Sequence, residues 1–203
     1  MNAAAAWTVR KTNVMTADEV QQVLDDLRRR GKRSVNTRMN EVVVRLSTVC
    51  GLRCSEIAHL RIKDVVLGDK PYVHVFEGKG GKSADVTIPD SGTSVVLERY
   101  LRDVRNLNAH GRTKPTDNFL VKTNGKGFLR QEIAKRFDSA IRCLPEGRKD
   151  ELSIHSGRHT AATMLLDTGH SLATVRDFMR HSNISVTSVY LHGREIEATE
   201  MYE

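Results

Sequence analysis

A change of period partway along this 203-residue chain most constrains what it can fold into. Before and after the change, apolar residues recur three and four apart, the spacing of a helix face. Between lie three short runs rich in β-branched and aromatic residues: Val65-Val66-Leu67, Tyr72 to Phe76, and Ala84 to Ile88. Gly78-Lys79-Gly80-Gly81 separates the last two, which is turn chemistry for a hairpin tip. The pattern predicts an α+β fold, mostly helical, with a small antiparallel three-stranded sheet.

The helices have readable ends. Thr16-Ala17-Asp18-Glu19 has the form of a capping box, and Val20, Val23, Leu24 and Leu27 follow at helical spacing. That helix ends in Arg28-Arg29-Arg30-Gly31-Lys32-Arg33, which either touches phosphate or is a solvated helix end. Met39, Val42, Val43, Leu46 and Val49 predict a second, amphipathic helix stopped by Gly51, followed by a short helix from Ser55 to Leu60. Further helices are expected over Ser94 to Leu107, Arg130 to Leu144, His155 to Asp167 and Leu172 to Arg180, with a last one over Asn183 to His192. Thr168-Gly169-His170 separates two of them, and Ser171 can cap the second. Gly111 to Asn118 and Pro145 to Asp150 read as loops, and residues 1–15 as a leader or linker remnant.

Lys and Arg outnumber Asp and Glu by 32 to 25, a formal charge of +7 that suits a polyanionic partner, nucleic acid first. No apolar run is long enough to span a bilayer, so no membrane partner is expected. The three cysteines, Cys50, Cys54 and Cys143, are an odd number without a secretory signal, which predicts reduced thiols in a cytoplasm. Cys50 and Cys54 stand i,i+4 on an expected helix; small buried residues are the favoured reading, because no second pair completes a zinc set.

The last third carries the chemistry. His155-Ser156-Gly157-Arg158-His159, then His181, then Tyr190 make a phosphate-handling set. Arg binds phosphate oxygens bidentately, His moves protons near neutral pH, and Tyr can form a covalent ester. A second guanidinium is available at Arg53, with Glu56 placed i,i+3 to hold it, although a surface ion pair has the same spacing and is worth little. Lys79, on the hairpin tip, can protonate a leaving oxygen, and Lys82 competes for that role. A phenol is ionised to about one part in a thousand at neutral pH, a deficit of roughly 4 kcal/mol that neighbouring cations or a base must offset. His155 and His159 have a zinc-compatible i,i+4 spacing but lack the Glu of a His-Glu-x-x-His motif, and Ser156 lies outside a Gly-x-Ser-x-Gly elbow.

These residues, in this order, resemble the tyrosine recombinases, or phage-type integrases. Gly51-Leu52-Arg53-x-x-Glu56 resembles the first-arginine motif, and Gly78-Lys79-Gly80-Gly81-Lys82 with Val86-Thr87-Ile88-Pro89 the hairpin-lysine segment. His155-x-x-Arg158-His159 resembles the second box, and Leu172 to Tyr190 the third box and nucleophile. The resemblance implies an integrase-type catalytic domain over residues 16–203. It implies that Tyr190 attacks the scissile phosphate to give a 3′-phosphotyrosine and a free 5′-hydroxyl. Arg53 and Arg158 would clamp the phosphate and Lys79 would be the general acid. His155 would assist proton transfer, His181 would hydrogen-bond the phosphate, and Glu56 would support the site. Neither metal nor ATP is implied, no cofactor is expected, and the implied partners are double-stranded DNA and other protomers in a tetramer. The implied location is the cytoplasm and nucleoid of a prokaryote, its phage or a mobile element.

Three positions depart from the family pattern. Gly157 replaces a bulky apolar residue, at up to about 1 kcal/mol against Ala in a helix, which predicts a less rigid second box. Arg180 replaces the usual Gly before His181 and adds a charge beside the site. The family usually has a separate N-terminal DNA-clamping domain, and almost nothing precedes Thr16 here, so the resemblance implies either a catalytic fragment of a longer protein or one of the short recombinases. Two competing functions share some of these features. A type IB topoisomerase shares the tyrosine and arginine chemistry, but the third box is integrase-like. A DNA-binding regulator would use Ala161 to Phe178 as a helix-turn-helix, which leaves the spacing of Arg53, Lys79, Arg158, His181 and Tyr190 without explanation.

Overall fold

The computed structural model describes residues 13–76, 83–109, 111, 113–181 and 187. The first helix, α1 (Ala17–Gly31), opens on the expected capping box: Thr16 accepts from the Glu19 N–H at 3.1 Å and Glu19 accepts from the Thr16 N–H at 2.8 Å. Its apolar stripe, Val20, Val23, Leu24 and Leu27, is buried. Met15, on the leader side of the expected boundary, is also buried, and its N–H donates to Thr160 Oγ1 at 2.9 Å.

Helix α2 (Val35–Thr48) differs from the amphipathic expectation, because Met39 to Thr48 is buried without interruption. It is the central element, packed by α1 and by the helices over Cys54–His59, Ser91–Arg99, Arg130–Ala140 and Ile154–Asp167. A helix surrounded on all sides must satisfy its own polar groups. Thr48 Oγ1 and Ser47 Oγ bond the Val44 carbonyl, and Arg45 bonds Glu41 and Thr93. Gly51 ends this segment at φ +61, a conformation that strains any residue with a Cβ. Cys50 lies in the bend after α2 and Cys54 opens α3 (Cys54–His59), so the two cysteines do not share a helix as expected; both are buried. Burial pushes the Cys50 thiol up to about 12, and the Cys54 thiol donates to the Arg130 carbonyl at 3.1 Å.

The sheet matches the expectation: β1 (Val65–Val66), β2 (Tyr72–Phe76) and β3 (Ser83–Thr87) pair antiparallel in that order, from Tyr72↔Thr87 to Phe76↔Ser83. Val73, Val75 and Val86 face the core while residues between them face outward, the period of two that made the strands readable. Residues 77–82, with Lys79 and Lys82, lie outside the described residues.

Helix α4 (Ser91–Arg99) starts three residues before the expected Ser94, because the Asp90 carboxylate caps the Thr93 N–H at 2.7 Å. It continues through a wider π turn, Tyr100–Arg105, into α5 (Asn106–Asn108). The Tyr100 hydroxyl there accepts from the Val121 N–H at 3.1 Å. Helix α6 (Arg130–Ala140) tightens into a 3₁₀ turn over Ile141–Cys143.

The loop expected over Pro145 to Asp150 is instead helix α7 (Glu146–Glu151). Pro145 precedes it with φ −55, Glu146 lies in its first turn, and Arg148 and Lys149 lie in its last, so its ends suit the helix dipole although it has no apolar period. Arg148 ties it to Glu19, Glu151 and the Val14 carbonyl.

Helix α8 (Ile154–Asp167) is closely packed at Gly157, the position where a less rigid box was expected. A Cβ on Gly157 would sit 2.7 Å from Ser47 Oγ, 2.9 Å from Ser47 Cβ and 3.1 Å from the Phe137 ring. The missing side chain is what lets α8 approach α2 and α6 so closely.

Helix α9 (Leu172–Phe178) begins with Ser171 Oγ accepting from the Thr174 N–H at 3.1 Å, as expected, and ends two residues before the expected Arg180. Of the last expected helix, Thr187 is described and is helical; the rest lies outside the described residues. Among the described residues no helix is long and apolar enough to cross a membrane.

Candidate active site

Four of the expected site residues meet where the α2–α3 bend, the start of α8 and the end of α9 come together. Arg53 is the residue before α3, in extended conformation, and its N–H donates to Glu56 Oε2 at 2.7 Å. Its Nη1 donates to Glu56 Oε1 at 2.8 Å and its Nη2 to the Arg180 carbonyl at 3.4 Å. The Glu56 side chain is 7 % exposed, so this is not the solvated surface pair that the i,i+3 spacing alone allowed. Burial pushes its carboxyl up. Arg180, the Arg53 N–H, Arg158 and Arg53 together outweigh that and hold it below the usual carboxylate range.

Arg158 lies in the second turn of α8 and is buried. Its two Nη atoms donate to the carbonyls of Gly51 and Met179, tying the α2–α3 bend to the end of α9. A guanidinium carries five N–H donors, so anchoring to carbonyls is compatible with holding an anion.

His181 follows α9, and its Nδ1 lies 2.9 Å from Thr187 Oγ1. When the Thr187 hydroxyl donates to Nδ1, Nε2 carries the proton and can donate to an oxyanion. Burial, then Arg158, Arg53 and Arg180, pushes the His181 imidazole down to about 4. Burial, then Arg158, His155 and His181, does the same to His159, also to about 4. His155 is lowered by partial burial, Arg130 and Arg158. The histidines are therefore neutral beside a cluster of permanent cations, ready to take up a proton when an anion arrives.

Unfolded imidazoles titrate near 6.5, so the stability these histidines provide is present above pH 6.5 and lost as the pH falls toward about 4. The urea midpoint is expected to drop across that window, and NMR of the His181 ring in the free protein should show titration near the low end. A His181 titration near its ordinary value would mean that it does not sense the arginines.

A cleft of about 760 Å³ opens beside the cluster, lined by Arg53, Glu56, His59, Arg61, His74 and Phe76 among others. It extends from Arg53 to Phe76, the last described residue before the segment containing Lys79. Lys79 and Tyr190 both lie outside the described residues. Sequence reasoning missed the Gly51 and Met179 carbonyls that orient Arg158, the Thr187 hydroxyl on His181, and Arg180 as a ligand of Glu56. Gly51, a helix stop beside Arg53, and Arg180, a charge beside His181, left signals that could have pointed to these contacts.

The model of the phage integrase family matches residues 13–196, and the chain belongs to that family. It is 29 % identical over 191 residues to the tyrosine recombinase XerD of Oceanobacillus iheyensis, covering 94 % of this chain and 61 % of that protein. The Staphylococcus aureus XerD is 29 % identical over 194 residues with the same two coverages, so the chain spans less than two thirds of these relatives. Among solved structures, XerH recombinase in a post-cleavage complex with a palindromic difH substrate superposes with a TM-score of 0.75 at 20 % identity, over 95 % of this chain and 54 % of that one. A lambda integrase dimer bound to a COC′ core site gives 0.64 at 16 % identity, over 94 % of this chain and 63 % of that one. These likenesses establish the integrase catalytic fold.

Proposed function

We propose that residues 16–203 are the catalytic domain of a site-specific DNA recombinase that cleaves and rejoins strands through Tyr190. The carrying observation is the convergence of Arg53, Glu56, Arg158 and His181 from three separate parts of the chain on one site. Two guanidiniums and a neutral imidazole suit a phosphodiester whose negative charge grows in the transition state.

In this mechanism the Tyr190 oxygen attacks phosphorus, the bond to the 5′-oxygen breaks, and Lys79 gives that oxygen its proton. The product is a 3′-phosphotyrosine. Arg53 and Arg158 clamp the non-bridging oxygens, His181 donates to one of them, and His155 assists removal of the phenol proton. Attack by a 5′-hydroxyl reverses the steps, so religation draws on the ester itself and needs neither ATP nor a metal. Double-stranded DNA is the substrate, a reading supported by the net charge and by similarly folded recombinases solved on DNA, and other protomers complete a tetramer on it. The proposed setting is the cytoplasm, on nucleoid, phage or mobile-element DNA.

The test uses a pool of nicked duplexes covering the DNA on either side of the gene, incubated with the protein in EDTA. An SDS-resistant adduct should form, and peptide mapping should place it on Tyr190. An adduct on another residue would refute the nucleophile assignment, and no adduct on any duplex would refute the recombinase reading.

A further inference from the structure

We infer that Arg180 is a positioning residue for Arg53, gripping Glu56 from the far side so that one buried carboxylate is fixed between two guanidiniums. This rests on the recombinase reading for its effect on catalysis, but the geometry stands on its own.

Helices α8 and α9 end with the same backbone motif. At the end of α8 the Gly169 N–H bonds the Leu166 carbonyl and the His170 N–H bonds the Leu165 carbonyl, with Gly169 at φ +87. At the end of α9 the Arg180 N–H bonds the Asp177 carbonyl and the His181 N–H bonds the Arg176 carbonyl, with Arg180 at φ +54. This motif favours glycine at its left-handed position. Among the described residues Arg180 is the one non-glycine residue with positive φ. A side chain in that conformation is strained, so it persists where the surroundings hold it.

The surroundings here include the Phe178 carbonyl, which accepts from Arg180 Nη1 at 3.1 Å, and above all Glu56. Arg180 Nη2 lies 2.7 Å from Glu56 Oε2, and the two side chains are 6 % and 7 % exposed. Glu56 Oε1 is left for Arg53 Nη1 at 2.8 Å. The left-handed turn also places the Arg180 carbonyl 3.4 Å from Arg53 Nη2, while the preceding carbonyl, of Met179, accepts from Arg158. Arg180 thus reaches Arg53 by two routes, through its own carbonyl and through the carboxylate. Glycine at this position would keep the first route and lose the second. Of the cations around Glu56, Arg180 contributes most to holding its carboxyl ionised. Arg53 alone would be half of a simple ion pair with Glu56; with Arg180 present the group retains one net positive charge for an incoming phosphate.

The test is Arg180→Gly, which the backbone at φ +54 accepts, with Arg180→Lys as the conservative variant. Single-turnover cleavage of a nicked duplex should fall by about tenfold to a hundredfold in Arg180→Gly, the scale of a misplaced reacting group, far more than DNA affinity falls. Arg180→Lys should recover part of the rate, and added guanidinium ion should rescue Arg180→Gly. Independently of activity, NMR of the Arg53 Nε–H should show an ordered, slowly exchanging group in the wild type that becomes averaged in Arg180→Gly. Unchanged Arg53 signals, or equal loss of rate and melting temperature without guanidinium rescue, would overturn the inference. If the wild type is inert on DNA while Arg53 order still depends on Arg180, the recombinase reading fails and the positioning role survives.

Discussion

Arg158→Ala is expected to damage chemistry and stability together. Removing a preorganised donor from a developing oxyanion typically costs about 10² to 10³ in rate, so adduct formation should fall by at least that factor. The same substitution strips the donors from the Gly51 and Met179 carbonyls, both in buried residues. A buried acceptor left without its donor costs about 1–3 kcal/mol, which gives roughly 2–6 kcal/mol for the two. Arg158→Lys should fall between, because an ammonium keeps the charge but lacks the planar fork that reaches both carbonyls. Single-turnover cleavage and urea midpoints on the same preparations decide the matter. A rate loss with no change in stability would show that the two carbonyl bonds contribute nothing, and that Arg158 is held by other contacts.

What was legible in the sequence was what is local. Arg53 and Glu56 are three residues apart across a helix start, so their pairing follows from helix geometry alone. The sheet was readable because Val73, Val75 and Val86 alternate with outward residues, and the helix breaks at Gly51 and Gly169 because both adopt positive φ. Helix α7 escaped notice because its six residues have no buried face to impose an apolar period. The burial of α2 on every side was hidden, since Asn40, Glu41, Arg45, Ser47 and Thr48 look like a solvent face until their partners are in place. Arg180 was visible as an added charge, but its partner lies 124 positions away, and only the fold turns that charge inward onto Glu56.

Gly157→Leu would install the bulky apolar residue usual in the family, yet it is expected to destabilise this protein by about 3 kcal/mol or more. Its Cβ alone would stand 2.7 Å from Ser47 Oγ and 2.9 Å from Ser47 Cβ, and Ser47 is held in a helix with its hydroxyl on the Val44 carbonyl. Neither atom is the free end of a flexible chain, so α8 itself would have to move away from α2. That motion would carry Arg158, the next residue, out of line with the Gly51 and Met179 carbonyls, so cleavage should fall with stability. Gly157→Ala sets two terms against each other: a gain of about 1 kcal/mol in helix propensity and an overpacking cost of about 1–3 kcal/mol. The net should be a modest loss. Combining it with Ser47→Gly removes both of the closest clashing atoms, and the remaining 3.1 Å approach to Phe137 is to a ring edge that can shift slightly. The pair should therefore be more stable than the sum of the single effects, a positive coupling read from a double-mutant cycle in urea. Additive losses, or a Gly157→Leu variant as stable as the wild type, would mean that the gap between α8 and α2 tolerates a side chain and that glycine is not what sets their approach.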